Sequence, residues 1–350
     1  MTRFDLLDTF AWLIAIGEQQ RKIYNGEFTC NLATSNKIED LYQRKKYVYI
    51  GTRPLLLPPS LTQLSQPLDL WVSRDTQIVD NTVDKFKNWL HNTANLYLGL
   101  GQFDYVDAID GNTQAFDLFY LRHRNKHIKI CKGEWIYNVQ QLEANNFNWS
   151  YVEDVPLAKG DALLISAPFS GYGAIHPNMQ NLLNQCEDLQ IPVLIDACFS
   201  VVTSKVVYDF SSPAIENISF GCSKIFPLQG VPAGIRYSRL PLNDFQTIKL
   251  KREYQNRLNF AVLNRFLDIP QQTIIDIIKQ RQTHWCDYFK LQPCDVGYYG
   301  LASDYLLEAH SYWDTISPKA KMTDYKPTIS LVSLIENHDY FVNQQKILGS

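Results

Sequence analysis

A chain of 350 residues, 45% of them hydrophobic and 20% charged, has the composition of an ordinary folded protein and can form one large domain and a smaller one. Its net charge of -3 gives no electrostatic reason to expect nucleic acid or an anionic membrane surface as a partner. The 7 cysteines include no CxxC pair, so neither a disulfide framework nor a metal site is expected. Without a signal-peptide layout or a membrane-length apolar run, the sequence predicts a cytoplasmic protein.

The first hundred residues predict helices separated by an irregular arm. Apolar residues at helical spacing favour an amphipathic helix over 4–22, at the start of an N-terminal helix and arm over 1–45. Gly51-Thr52-Arg53-Pro54 interrupts regular structure. A second amphipathic helix is predicted over 78–92.

From about residue 105 onwards, short apolar runs alternate with helical patterns. This alternation predicts βαβ units and a mainly parallel sheet covered by helices on both faces, which makes a three-layer α/β/α large domain over 46–240. The remaining residues, 241–350, are expected to form a smaller C-terminal α+β domain. The predicted strands are Tyr105–Ile109, His127–Cys131, Ala162–Ser166, Val193–Asp196, Ile218–Phe220 and Thr328–Ile335, and the predicted helices are Thr113–Arg122, Asn178–Leu189 and Gln271–Phe289.

A glycine-containing turn, Asp110-Gly111-Asn112-Thr113, lies between a predicted strand and a predicted helix. Such a turn presents free backbone N–H groups and the positive end of a helix, so it can bind phosphate, with the Thr113 hydroxyl as a further donor. The alternative interpretation is an ordinary helix cap supplied by Asp110 or Asn112.

Three further residues have side chains that could belong to the same ligand-binding site. Asp196 ends an apolar strand, where a carboxylate can keep a pyridine nitrogen protonated. Lys224, after Ser223, becomes a nucleophile towards an aldehyde if its pocket is partly desolvated. Arg236 can give planar, multi-donor contact to phosphate. Each also has an ordinary interpretation: a turn residue, a surface lysine and a surface ion-pair partner.

The order of these features resembles the large domain of the fold type I pyridoxal-phosphate enzymes, the aspartate aminotransferase superfamily. Gly111-Asn112-Thr113-Gln114-Ala115 is similar to the turn that holds the cofactor phosphate, and Asp196-Ala197-Cys198-Phe199 to the Asp-x-x-Tyr strand end. Ser223-Lys224-Ile225-Phe226 is similar to the Ser-Lys-x-Phe segment, and Gly230 to Arg236 resembles Gly-x-x-Gly-x-Arg. Trp135 lies where this superfamily often has an aromatic ring stacked on the cofactor.

The resemblance implies pyridoxal 5'-phosphate as the cofactor and a small-molecule amine or amino acid as the substrate. It implies that Lys224 forms a Schiff base with the cofactor and that Asp196 lies at the ring nitrogen, with these two as the catalytic residues. It also implies a homodimer. The implied cofactor-binding residues are Gly111, Asn112, Thr113, Trp135, Ser170, Asp196, Phe199, Ser223, Lys224 and Arg236.

The sequence departs from the superfamily pattern at three places. Ser170 lies in the loop that usually supplies an asparagine to the phenolic oxygen of the cofactor. Phe199 replaces a tyrosine and has no hydroxyl to donate. Thr328 stands where an arginine usually holds the substrate carboxylate. Either another arginine holds the carboxylate, with Arg53, Arg257, Arg265 and Arg281 as candidates, or the substrate has no α-carboxylate. Arg53 and Tyr172 are assigned to substrate binding.

Three functions remain open from the sequence. The first is a pyridoxal-phosphate-dependent aminotransferase, in which Lys224 also serves as the general base. The second is a lyase, a decarboxylase or a C–C bond-forming enzyme with the same cofactor and fold, which the Phe199 replacement and the missing arginine favour. The third is a non-catalytic relative that keeps the fold.

Overall fold

The computed structural model describes residues 75–171, 173–226, 231–289, 291–301 and 328–331, together with Ile335, His338, Asp339 and Val342. The predicted N-terminal helix and arm over 1–45 lie outside the described residues. Arg53 and Tyr172, both assigned to substrate binding, also lie outside them.

A seven-stranded sheet forms the centre of the fold. In chain order its strands are β2 Tyr105–Ile109, β3 His127–Ile130, β4 Trp149–Tyr151, β5 Asp161–Ser166, β6 Val193–Asp196, β8 Ile215–Gly221 and β9 Gly234–Ser238. Their spatial order is β2-β9-β8-β6-β5-β3-β4. The neighbouring pairs from β8 to β4 are parallel, and β9 runs antiparallel to both β8 and β2.

Helices cover both faces of this sheet, because its central strands are apolar on both sides. Alternate residues of β5 show this. Ala162 and Leu164 belong to a core cluster with apolar side chains of α2 (Asn112–Arg122) and α3 (Ile136–Ala144), whereas Leu163 and Ile165 belong to a second cluster that includes α1 (Ile78–His91) and α4 (Met179–Leu189). The predicted three-layer arrangement is confirmed.

The chain beyond residue 240 forms helices and a small antiparallel sheet. The helices are α5 Phe245–Lys251, α6 Arg257–Phe266 and α7 Gln271–Phe289, and the sheet consists of β10 Gln292–Pro293, β11 Tyr299–Leu301 and β12 Thr328–Ser330. A separate two-stranded parallel pair joins β1 Leu96–Leu98 to β7 Val207–Asp209.

Most predicted elements lie within a few residues of the observed bounds, and α7 has the bounds that its pattern predicts. The final strand is shorter than expected. β12 ends at Ser330, and Ile335 is helical with its backbone N–H donating to the carbonyl of Leu331. No helix in the described part of the chain combines the length and the apolar character that crossing a membrane requires.

Candidate active site

Asp196 and Lys224 meet at the carboxyl edge of the parallel strands. Asp196 is the last residue of β6, and Lys224 lies in the turn after the neighbouring strand β8. The two are close enough for the lysine charge to stabilise the carboxylate. The Nζ atom of Lys224 lies 5.1 Å from the ring centroid of Phe199 and 5.8 Å from that of Trp135. The fold thus places an amine close to two aromatic rings and to a carboxylate.

The Asp196 carboxyl group is buried, with 3% of the residue exposed. Its Oδ1 accepts hydrogen bonds from the backbone N–H of Cys198 at 3.0 Å and from Nδ2 of Asn112 at 2.7 Å. Burial raises the pKa of Asp196, although these donors and Lys224 act in the opposite direction. A buried carboxylate is favourable only with a cationic partner, and the site is therefore suited to a positively charged ligand group beside Asp196.

Asn112 connects three structural elements at this edge. From the first turn of α2, its Nδ2 reaches Asp196 on β6 and also donates to the backbone carbonyl of Ser219 on β8 at 3.0 Å. The side chain fits because Gly221 has no Cβ: one built there would lie 2.4 Å from Oδ1 of Asn112. Among the described atoms this buried oxygen has no hydrogen-bond partner. The sequence interpretation placed Asn112 at a phosphate, whereas its amide is directed at the Asp196 carboxylate.

Trp135 forms one wall beside Lys224. It lies just before α3, is 43% exposed, and stacks on Tyr137 with ring centroids 5.0 Å apart. The hydroxyl of Tyr137 donates to the Asp117 carboxylate of α2 at 2.9 Å. This second ring fixes the orientation of Trp135 and leaves its other side open to a ligand. Nothing in the local sequence identifies Tyr137 as the support, apart from its position two residues later.

A buried chain of oxygens lies behind Trp135. Glu134 accepts from the backbone N–H of Ser166 at 2.6 Å and from its hydroxyl at 2.8 Å. Oγ of Ser166 lies 3.0 Å from Oγ of Ser170, and Oγ of Ser166 also accepts from the backbone N–H of Ser170 at 2.9 Å. Burial raises the pKa of Glu134 to about 8, although both Ser166 donors lower it. The carboxyl can therefore hold a proton near neutral pH, connected through Ser166 to Ser170.

The turn before α2 has the features of an anion site. Gly111 has a φ of 85°, a conformation that glycine adopts without strain, and no side chain caps the helix. The Thr113 side chain lies in the first turn of α2. Asp110 forms an ion pair with Lys249 of α5, which brings a cation to this turn that the sequence interpretation did not include. Ser223 is half-buried in the turn after β8, next to Lys224.

Arg236 has partners other than those proposed from the sequence. Its guanidinium is completely buried and donates to Asp244 at 2.6 Å and to Asp107 at 2.9 Å. These two carboxylates neutralise the guanidinium within the fold. The role of phosphate ligand assigned to Arg236 therefore has no support in its hydrogen bonds, because sheet register pairs it with Asp107 across β2.

Two of the arginines considered for a substrate carboxylate also have protein partners. Arg257 pairs with Glu253 at 2.9 Å, and Arg281 donates to the backbone carbonyl of Ile335 at 2.8 Å. Thr328 lies on β12, as its sequence position predicts. Tyr299 of β11, which the sequence did not suggest, packs against Phe199 with ring centroids 5.5 Å apart.

The ring end of this site fits pyridoxal phosphate. The buried Asp196 carboxylate suits a protonated pyridine nitrogen, Trp135 provides a stacking surface, and Lys224 provides an amine for an aldehyde. The unsatisfied Oδ1 of Asn112 shows that the polar groups at this edge can accept a further donor. For the phosphate, the turn at Gly111 fits, whereas the Arg236 guanidinium donates to Asp244 and Asp107.

Comparison with known proteins identifies the fold. No family model matches the chain, and no curated protein matches its sequence. A PLP-dependent cyclase, OrfR, superposes with a TM-score of 0.59 at 12% identity, covering 88% of this chain and 96% of that chain. The chain has the fold of the fold type I pyridoxal-phosphate enzymes.

Two aminotransferases show the same likeness. Aspartate aminotransferase from Thermotoga maritima has a TM-score of 0.56 at 12% identity, covering 92% of this chain and 99% of that chain. Tyrosine aminotransferase from Leishmania infantum has a TM-score of 0.54 at 12% identity, covering 89% of this chain and 98% of that chain. At 12% identity this likeness shows that the chain shares the fold of these enzymes, and it does not extend to their reactions.

Proposed function

We propose that this chain is a pyridoxal-phosphate-dependent enzyme that acts on a primary amine, with transamination as its reaction. The observation that carries the proposal is the position of Lys224, whose Nζ lies 5.8 Å from the ring centroid of Trp135, 5.1 Å from that of Phe199 and close to the buried Asp196. A lysine beside a buried carboxylate and an aromatic wall is what binding of a pyridine aldehyde needs.

Each residue then has a physical role. Pyridoxal phosphate, when bound, supplies an aldehyde and a ring that accepts electrons. Asp196 holds the proton of the ring nitrogen, and Asn112 and the Cys198 N–H keep its carboxylate oriented. With the cofactor bound, the Lys224 amine would hold its aldehyde carbon, with the carbonyl oxygen leaving as water. When a substrate amine takes that place, the freed Lys224 amine would serve as the general base at the substrate carbon.

The covalent attachment at Lys224 is directly testable. Wild-type protein incubated with pyridoxal phosphate and then reduced with borohydride is expected to carry a stable adduct on the peptide that contains Lys224, as detected by mass spectrometry. Lys224→Ala removes the only amine in this proposal, so the adduct on that peptide disappears. Lys159→Ala, which changes an exposed lysine, serves as the matched control and keeps the adduct. Absence of an adduct in wild-type protein would refute the proposed function.

A second function with the same cofactor has support in Phe199. The ring of Phe199 lies against Lys224 but provides no hydroxyl, so the polarity around the amine differs from that of an Asp-x-x-Tyr site. A lyase or a C–C bond-forming enzyme is therefore the alternative. Mixing the loaded protein with candidate amines separates the two. Transamination leaves the amine form of the cofactor and a keto product, whereas a lyase returns the aldehyde form.

A further inference from the structure

Three metal-binding types of side chain meet on loops beside the candidate active site. Cys131 follows β3, Glu153 follows β4, and His176 lies between β5 and α4. Their ligand atoms, a thiol sulfur, a carboxylate oxygen and an imidazole nitrogen, all lie within 4.8 Å of one another. Cys131 and His176 are buried, with 1% and 3% of each residue exposed, and Glu153 is exposed.

Sheet topology explains why these residues meet although they are distant in sequence. The strands β4, β3 and β5 are parallel neighbours, so their carboxyl ends lie side by side at one edge. The Glu153 carboxylate is held there by the backbone N–H of Lys132 at 3.0 Å. The His176 ring is held edge-on against Phe169, with centroids 4.7 Å apart.

The chemistry of the three groups identifies the kind of ion. Thiolate, imidazole and carboxylate are the ligands of Zn²⁺, and the sulfur excludes Mg²⁺ and Ca²⁺, which require oxygen ligands. We propose that Cys131, Glu153 and His176 bind Zn²⁺ through three protein ligands, with the fourth position open to water. Binding deprotonates the Cys131 thiol and releases that proton to solvent, with no change in oxidation state.

The hydrogen bond from Asn178 to His176 competes with the metal. The backbone N–H of Asn178 donates to Nδ1 of His176 at 3.1 Å. A metal at Nδ1 replaces this bond, and a metal at Nε2 moves the ring hydrogen to Nδ1 and displaces the donor. Metal binding at His176 therefore exchanges the Asn178 hydrogen bond for a metal–ligand bond.

An ion bound at Cys131, Glu153 and His176 would also affect the loops of the candidate active site. Cys131 begins the segment that leads through Glu134 to Trp135, and Phe169, which supports His176, directly precedes Ser170. A bound Zn²⁺ would connect the two loops that present Trp135 and Ser170. This inference does not depend on the proposed function, since no cofactor takes part in the metal site.

Metal binding can be measured on the full chain without any substrate. Wild-type protein that is stripped of metal with a chelator and then incubated with Zn²⁺ is expected to retain about one equivalent of Zn²⁺ after dialysis, measured by atomic emission. With Co²⁺ it is expected to develop a thiolate-to-cobalt charge-transfer band. Glu153→Gln and His176→Gln should each weaken Co²⁺ binding by about 10-fold or more, because each removes one ligand from three. Cys131→Ser should abolish the charge-transfer band.

Matched substitutions elsewhere give the controls. Cys286→Ser and Glu143→Gln make the same chemical changes at residues outside the cluster and should leave the affinity and the band unchanged. Because Glu153 is exposed, Glu153→Gln keeps the test decisive even if a buried substitution prevents folding. A wild-type protein without the band, or Glu153→Gln with unaltered Co²⁺ affinity, would overturn the inference.

Discussion

The Asn112 side chain orients the Asp196 carboxylate of the candidate site. Its amide donates to Asp196 and to Ser219, and its Oδ1 lies in the space that Gly221 leaves open. A turn that resembles a phosphate-binding segment thus also orients the carboxylate proposed for the ring nitrogen. The same residue links the two ends of the proposed cofactor.

Replacing Gly221 with alanine tests this arrangement. The new Cβ would meet Oδ1 of Asn112 at 2.4 Å, so the side chain must move away from Asp196. We expect Gly221→Ala to weaken pyridoxal-phosphate binding and to lower the free energy of unfolding by about 1–3 kcal/mol, the usual cost of overpacking. Absorbance titration and urea denaturation provide the two measurements.

Combining Gly221→Ala with Asn112→Ala separates the contact between the new Cβ and Asn112 from other effects of the alanine. In an Asn112→Ala background the obstructing oxygen is absent, so Gly221→Ala should cost less than it does in the wild type. Gly101→Ala is the control, since a Cβ there meets no atom within 4 Å. Equal costs of Gly221→Ala in both backgrounds would contradict the proposed contact.

Sequence patterns could predict which residues lie at this site, but they could not predict all the hydrogen-bond and ion-pair partners of those residues. Asp196 ends a predicted strand, and Lys224 and Trp135 come shortly after two others. The structure brings these three side chains to one edge of the sheet. The Asn112–Asp196 bond and the Arg236–Asp244 pair depend on sheet register and on helix placement, which one sequence does not reveal. The assignment of Arg236 to phosphate rested on a local pattern, and its hydrogen bonds are determined by the neighbouring strand.

Asp244 connects helix α5 to strand β9 of the central sheet. Its carboxylate caps α5 by accepting from the backbone N–H of Thr247 at 3.2 Å, and it pairs with Arg236 of β9. Burial alone would raise the pKa of Asp244, but the hydrogen bonds and the charge of Arg236 outweigh it and lower the pKa below its usual 3.8. Attachment of α5 to β9 therefore depends on an ionised carboxylate.

The sign of the resulting pH dependence follows from this lowered pKa. In acid, the unfolded chain takes up the Asp244 proton before the folded protein does, so this stabilisation is present above the unfolded pKa. It is lost as the pH falls through the folded pKa. We expect Arg236→Met to weaken this acid dependence and to lower the free energy of unfolding at neutral pH by about 3–5 kcal/mol, because Asp107 and Asp244 lose the buried guanidinium that donates to both, although Arg122 remains 3.6 Å from Asp244.

Denaturant titrations between neutral pH and pH values below 4 can measure both effects. Arg124→Met, at an exposed position just after α2, is the matched control and should leave both quantities close to those of the wild type. An Arg236→Met protein as stable as Arg124→Met would contradict the role given to the pair.

At the scale of the whole molecule, the core continues across the predicted domain boundary near residue 240. Phe226 packs against Phe266 of α6 with ring centroids 5.3 Å apart. The indole N–H of Trp89 on α1 donates to the carbonyl of Ile269 at 2.9 Å. One cluster of buried apolar residues extends from α1 through the sheet to α7. The parts before and after the boundary therefore share one interior, and the boundary itself stays a prediction.

This shared core predicts cooperative unfolding. Leu263→Ala, at a fully buried position of α6, should lower the free energy of unfolding by about 2–5 kcal/mol and shift one common transition. Leu258→Ala, on the same helix but 36% exposed, is the control and should cost much less. Far-ultraviolet and near-ultraviolet circular dichroism should report the same midpoint. Two separated transitions, with only one displaced by Leu263→Ala, would show that the parts unfold independently.

The position of β9 has a consequence for the order of assembly. Among the described strands, β2 lies at the edge of the sheet and pairs with β9 alone. Its hydrogen bonds join segments as far apart in the chain as Asp107 and Arg236, 129 residues. During synthesis, β2 and the turn that follows it cannot enter the sheet until the ribosome has released β9. Closing so long a loop is slow compared with pairing of local segments. The turn at Gly111 is thus among the first segments of the described chain to be made and among the last to reach its native place.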